Sequence, residues 1–173
     1  NYQLSSKVNL FGDLQIRTID YETEGTDDDL SNYQVGEKYT FFNPKFGLTY
    51  ALNAHFQLYG SFAVAHREPV RTDFIDAPVG DIPSPEQLQN LELGFRGNLD
   101  NIHLETNVYL MDYTDQLILT GAVNDVGSSI RVNTPDSYRA GLEMVLGMNL
   151  TDRWNWGFNV ALSRNKINKF TEV

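Results

Sequence analysis

Residues 88–99 alternate between two kinds of side chain. Leu91, Leu93, Phe95, Gly97 and Leu99 take the odd positions, and Asn90, Glu92, Arg96 and Asn98 take most of the even ones. A period of two puts these sets on opposite faces of a β-strand. Asp100 and Asn101 come next, and both tolerate the positive φ that a tight hairpin turn requires. The alternation then resumes, with Ile102, Leu104, Val108 and Leu110 in phase. The pattern predicts a long antiparallel hairpin over residues 87–120.

The rest of the chain repeats that pattern. Residues 7–21 set Val8, Leu10, Leu14 and Ile16 against Asn9, Asp13, Gln15 and Arg17, with Phe11 out of phase. Residues 22–38 are polar, acidic and aperiodic, which predicts a long loop. Residues 39–52 align Phe42, Phe46, Leu48, Tyr50 and Leu52, and Pro44 suits an end or a bulge of that strand. After a short turn at Asn53 and Ala54, residues 55–67 align Phe56, Leu58, Phe62 and Val64. Residues 68–87, holding Pro69, Pro78, Pro83 and Pro85, read as a second long loop, and residues 121–129 as a third. A sixth strand is expected over about residues 130–150, a turn at 151–153, and a seventh strand from Trp154 through Trp156, Phe158, Val160 and Leu162. Short turns near residues 53, 100 and 152 are two strands apart, so they gather at one edge and the long loops at the other. The predicted fold class is all-β, antiparallel and up-and-down, with about seven long strands in one segment, residues 1–173.

Alternation of this kind also suits a soluble or secreted ligand-binding β-sandwich or small β-barrel, in which apolar faces meet and polar faces look to water. Three features favour a membrane wall. The segments run to about 10 to 20 residues, against about 5–6 for a typical soluble strand. The connections are lopsided, as in bacterial outer-membrane barrels with short periplasmic turns and longer outer loops. Tyr50, Phe56, Trp154 and Trp156 crowd the short-turn edge of the apolar face, the place of an interfacial aromatic girdle. Asp112 breaks the apolar phase and is read as the point where its strand leaves the membrane. A slice of barrel on its own would expose a broad apolar face and two unpaired edges, so it is expected to associate, to curl, or to belong to a larger assembly.

Composition narrows the classes further. A net charge of −10 offers no basic face to nucleic acid. Zero cysteines exclude disulfides, thiolate metal sites and a cysteine nucleophile. No run reaches the roughly 18 apolar residues of a membrane helix. The chain opens Asn1-Tyr2-Gln3-Leu4, without the basic stretch or apolar core of a signal peptide, as expected of a fragment or processed chain.

With the strands placed, several motifs resemble the barrel region of TonB-dependent outer-membrane receptors. Residues 42–50, Phe-Asn-Pro-Lys-Phe-Gly-Leu-Thr-Tyr, resemble that family's P-x-x-G-L-x-Y strand. Tyr59, Ser61 and Phe62, leading to His66-Arg67-Glu68-Pro69, resemble Y-x-S-[YF] followed by F-R-x-P, with His66 replacing the usual aromatic. Pro85-Glu86 with Asn90, Glu92 and Gly94 resembles P-E-x-x-x-N-x-E-x-G, and Asp112-Tyr113-Thr114-Asp115-Gln116-Leu117 resembles D-Y-x-D-x-[IL]. Asn133, then Tyr138, Gly141 and Glu143, resembles the N…G-x-E strand that follows. The resemblance implies an internal slice from the later half of a transmembrane barrel of about twenty-two strands, without the plug domain, the TonB box or the terminal aromatic residue. It further implies a receptor in a Gram-negative outer membrane that imports a scarce ligand, a ferric siderophore first of all. The implied partners are outer-membrane lipid, the receptor's own plug and TonB, which transmits the proton-motive force; no cofactor is implied.

No catalytic constellation emerges, so an outer-membrane enzyme lacks its signature. His55, His66 and His103 are scattered without metal-ligand spacing, and there is no Ser/His/Asp order or glycine-rich phosphate loop. Glu92, Glu105 and Glu143 read as members of a polar lumen, pairing with Arg67, Arg96 and Arg139 or with a plug. Candidate ligand-binding residues in the loops and upper lumen are Arg67, Arg71, Asp73, Tyr113 and Arg131. Arg67 or Arg71 suits an anionic iron chelate, and Arg67 equally suits bracing the plug. The acidic groups Asp27-Asp28-Asp29 and Asp73, Asp76 and Asp81 are expected in loops, as solvated charge or as attractors of cations.

Overall fold

The computed structural model describes residues 1–26, 32–77, 81–123 and 127–168. In chain order the elements are β1 (Tyr2–Gln3), β2 (Val8–Thr26), β3 (Asn32–Ala51), β4 (Phe56–Arg67), α1 (Arg71–Ile75), β5 (Glu86–Leu99), β6 (Ile102–Thr114), β7 (Gln116–Val123), β8 (Ser129–Thr134), β9 (Ser137–Thr151) and β10 (Trp154–Ile167). One antiparallel sheet takes the order β1-β2-β3-β4-β5-β6-β9-β10, while β7 and β8 pair apart from it. The seven long strands and the up-and-down order match the sequence reading.

Register fixes the faces. Leu91 pairs with Leu110 and with Phe62, and Leu93 with Val108 and with Gly60. Phe46 pairs with Phe62 and Gly12, and Leu162 with Leu142, so apolar residues join across strands into one outer face. This face is bare: Leu14, Ile16, Phe42, Leu93, Val108 and Leu162 all stay exposed. A sheet that exposes its aliphatic side needs a solvent that does not penalise it, and hydrocarbon is that solvent.

A nine-residue apolar belt can be laid on every long strand, with Leu52 below it on β3 and Ala140 above it on β9 taken as its margins. It runs from residue 8 to 16 on β2, 42 to 50 on β3, 56 to 64 on β4, 91 to 99 on β5, 102 to 110 on β6, 142 to 150 on β9 and 154 to 162 on β10. Against the hydrogen-bond rows its upper limit slips by two residues between β3 and β4, again between β4 and β5, and again between β6 and β9. Six residues at about 3.3 Å across six strand spacings of about 4.8 Å give a strand tilt of about 35°. Eight residue steps at that tilt span about 22 Å, close to the apolar band of about 25 Å in bacterial outer-membrane barrels. Trp154 (67% exposed), Trp156 (63%), Tyr50 and Phe56 line its short-turn end, as the girdle reading expects.

Three expectations are corrected. The predicted loop over residues 22–38 is mostly strand, because the β2–β3 ladder continues from Val8↔Tyr50 to Thr26↔Asn32. Above the belt the two faces exchange character. Asp20, Glu22 and Lys38 turn outward to water, and Ile19, Tyr21, Tyr33 and Val35 are half-buried on the inner side. The predicted return arm to residue 120 ends at Thr114. Asp115 takes φ of 53°, a left-handed conformation Asp tolerates, and turns the chain into β7. The predicted sixth strand over residues 130–150 is two elements, parted at Pro135 and Asp136 between β8 and β9. The loop over residues 68–87 also contains the short helix α1.

Candidate functional site

The inner face of the sheet is polar and crossed by ion pairs. Arg96 donates through Nε and Nη2 to Glu105 Oε1 at 3.0 and 2.7 Å, and its guanidinium lies 4.8 Å from the Tyr59 ring centre. The Tyr59 hydroxyl completes the set at 3.5 Å from Glu105 Oε1. Tyr59 lies flat over Gly94, its cross-strand partner, where a β-carbon would overlap the ring. Gly94 is required there by close approach. Asn90 Nδ2 donates to Glu92 Oε1 at 2.7 Å, and Arg139 rests over the Tyr113 ring at 5.1 Å. The polar lumen expected for Glu92, Glu105 and Glu143 is therefore present on β5, β6 and β9, with one pairing, Arg96–Glu105, as anticipated.

Above the belt a cap folds over the inner side. The β3–β4 ladder stops at Lys45↔Ala63, whereas β4 stays paired with β5 to Arg67↔Glu86. The opening between β3 and β4 is filled from both sides. His66 stacks on Phe41 at 5.1 Å and contacts Asn43 Oδ1 at 2.8 Å, and Arg17 spans to Glu68 at 2.6 Å. From there α1 crosses the tall β2–β3 hairpin. Phe74 stacks on Tyr21 at 5.8 Å, and the Arg71 guanidinium sits 5.3 Å from the Tyr33 ring. Pro69 is fully buried at this junction.

The β7–β8 hairpin closes the other side. Asp73, 3% exposed, takes the Val70 amide at 2.9 Å through Oδ2 and Arg131 Nη1 at 3.3 Å through Oδ1. Asn133 clamps Ser84 through both its amide and carbonyl and also donates to the Asp115 carbonyl at 2.6 Å. Glu86 joins three elements: it pairs with Arg67 at 2.6 Å and receives the Leu117 amide at 2.6 Å. These contacts tie residues 68–77 and 81–86 to residues 115–123 and 127–134. Long-range polar pairs of this kind leave no periodic trace in sequence.

A family model described as the β-barrel of TonB-dependent receptor-like proteins matches residues 1–171. The chain belongs to the TonB-dependent receptor β-barrel family. Membership sets this receptor wall in a Gram-negative outer membrane, with its short turns on the periplasmic side and the cap outside. Solved structures agree in fold. The copper transporter OprC superposes with a TM-score of 0.77 at 17% identity, covering 95% of this chain and 28% of that one. The FrpB iron transporter from Neisseria meningitidis (F5-1 variant, apoprotein) gives 0.72 at 18% identity, covering 94% and 24%. The ferric yersiniabactin uptake receptor FyuA from Yersinia pestis gives 0.72 at 14% identity, covering 98% and 26%. The chain thus spans about a quarter of the length of these proteins. Among curated proteins, none matches.

Within the receptor wall the five candidate residues divide. Arg67, Asp73 and Arg131 are committed to the cap, Arg67 through Glu86 and the other two through each other. Arg71 and Tyr113 stand at separate places on the inner side, and each is half of an arginine–tyrosine stack. Arg139, the partner of Tyr113, reads from the sequence only as a lumen residue. Asp81 is exposed, and residues 27–29, the acidic run, lie outside the described residues.

Proposed function

We propose that this chain supplies wall and extracellular cap to an outer-membrane receptor that imports a ferric siderophore, with the receptor's plug and TonB providing the energised step. One observation carries the choice of ligand. Among the described residues of the cap and upper lumen, Arg71 and Arg139 have no carboxylate partner and rest instead on Tyr33 and Tyr113. A guanidinium over a phenol ring is held in place yet keeps its in-plane donors free. Each such group fits the anionic edge of a chelate with flat, apolar parts, and α1, which carries Arg71, also brings Phe74 onto the Tyr21 ring. The names of solved relatives include transporters of iron, of a ferric siderophore and of copper, so the ligand is the part to test.

The test is binding and TonB-dependent uptake of radiolabelled ferric siderophores by the natural full-length receptor, with copper salts in parallel. Arg71→Gln and Arg139→Gln should each weaken binding of the ferric chelate about ten-fold or more, as loss of a charge-assisted hydrogen bond does. A receptor that accumulates copper and ignores every ferric chelate, or variants that bind as the parent does, would overturn the reading.

A further inference from the structure

The opening between β3 and β4 holds one titratable group that the proposed function leaves unused. His66 lies two residues above the belt limit at Val64, and by alternation it follows Phe62 and Val64 on the lipid side of β4. Its ring lies instead against Phe41 and Asn43, which belong to the inner side of β3, so the imidazole stands in the opening itself. It stacks on Phe41 at 5.1 Å with only 7° between the planes. Its Nδ1 lies 2.8 Å from Asn43 Oδ1, and Asn43 Nδ2 in turn donates to Gln15 Oε1 at 3.0 Å. With its amide hydrogens turned to Gln15, Asn43 offers His66 an acceptor, so Nδ1 carries the proton of the neutral ring. His66, Asn43 and Gln15 thus link β4, β3 and β2 just where the β3–β4 ladder has ended.

We propose that His66 is an acid-released wedge: neutral, it holds the β3–β4 opening and the root of the cap together, and protonation frees both. A second proton falls on Nε2, which has no hydrogen-bond acceptor among the described residues. The charge also arrives beside a cation already in place. Arg17 of β2 lies 5.3 Å from the same Phe41 ring, and its Nη2 donates to the His66 carbonyl at 3.0 Å. Glu68, the carboxylate at hand, is taken by that Nη2 at 2.6 Å. On β3 the Tyr39 phenol stacks on Phe41 at 5.6 Å. On β5 the strand partner of His66 is the uncharged Gln87, and Glu86 is closed on Arg67 at 2.6 Å. Burial first, and the Arg17 guanidinium second, hold the imidazole below its usual pKa. The closed opening therefore prefers the neutral ring. Its contribution is complete above the ordinary histidine pKa of about 6.5 and is lost as pH falls through that value toward the lowered one. The release reaches the cap through the chain, because Glu68, the fully buried Pro69 and α1 follow His66 directly. Arg71 and Phe74 of α1 rest on the same β2–β3 hairpin that the wedge joins to β4. The device does not depend on which ligand the cap covers.

The experiment follows hydrogen exchange of the natural full-length receptor in phospholipid nanodiscs, corrected for the intrinsic pH dependence of exchange. Between about pH 7.5 and about pH 5.5, protection at residues 70–76 should fall by up to about ten-fold, the limit for one proton taken up at a site of ordinary pKa about 6.5. The ladders of the belt should not respond. His66→Phe keeps a flat ring on Phe41 and gives up the titration, so its cap should be equally protected at both pH values. Should that variant fail to fold, the imidazole itself decides, titrated by nitrogen NMR in the parent and assigned through its contact with Phe41. It should show the neutral ring protonated at Nδ1 and a pKa below the ordinary value, and Arg17→Gln should raise that pKa. Equal protection of residues 70–76 at both pH values in the parent, or an undiminished acid response in His66→Phe, would overturn the proposal. So would a ring that titrates at or above the ordinary value, or a neutral ring protonated at Nε2.

Discussion

Lysine placed at one depth on the two faces of this sheet should have opposite consequences. Phe46 lies four residues from each limit of the β3 belt, Phe42 and Tyr50, which at a 35° tilt is about 11 Å from either margin. It is therefore at the midplane, on the lipid side, and 51% exposed. One residue away, Lys45 points inward at almost the same depth, with its ammonium 5.8 Å from the Phe11 ring and Asp13 as its cross-strand partner. Phe46→Lys should cost about 2–4 kcal/mol, the midplane value for a cation on the lipid face. A cost of about 3 kcal/mol shifts the folding equilibrium about 150-fold. Phe42→Lys, at the outer margin, should cost about 0–1 kcal/mol. Ser61→Lys, on the inner face opposite Glu92, should be neutral or slightly stabilising. Reversible denaturant unfolding of the full-length receptor in phospholipid vesicles measures all three. Equal costs at positions 46 and 61, or a larger cost at 42 than at 46, would refute the assignment of faces and depth.

Two further outcomes follow from the cap and the lumen. Arg131→Ala removes the partner of a carboxylate that is almost wholly buried, so α1 should open locally at a cost of about 3 kcal/mol. Hydrogen exchange should then quicken at residues 70–76 with the barrel ladders unchanged, whereas unchanged protection would show that the latch carries no load. Gly94→Val should destabilise by about 1–3 kcal/mol because its side chain meets the Tyr59 ring, and most of that loss should vanish in a Tyr59→Ala background. A double-mutant cycle of unfolding free energies with no coupling would show that the two positions do not touch.

The part of the fold inside the membrane was legible because one solvent acts on one face for nine residues at a time. Leu91, Leu93 and Leu99 on β5 and Trp156, Phe158 and Leu162 on β10 therefore keep a single phase. The tall β2–β3 hairpin was not legible, since its apolar side switches from even to odd positions above Ile16 and Phe42 and the two phases cancel over residues 22–38. The turn-out at Asp115 was hidden for another reason. Leu117 and Leu119 carry on the apolar composition of the strand before them, and only the left-handed φ of Asp115 diverts the chain. The partners of the candidate residues were not legible. Arg71 and Tyr113 are each half of an arginine–tyrosine stack, and Asp73 and Arg131 meet across 58 residues. Such a pairing is set by how a loop and a hairpin dock, and no local pattern records it.

The nine-residue belt also acts as a thickness gauge. About 22 Å of apolar wall suits the bacterial outer membrane, which is thinner than average, and falls short of a typical hydrocarbon core of about 30 Å. In a thicker bilayer about 8 Å of mismatch would draw Thr18, Thr40, Asp112 and Arg164 into hydrocarbon, unless the lipids thinned around the wall. Every strand sets the same limit, so seven rows register the mismatch together. The length of the alternation thus selects the membrane in which this wall is at rest.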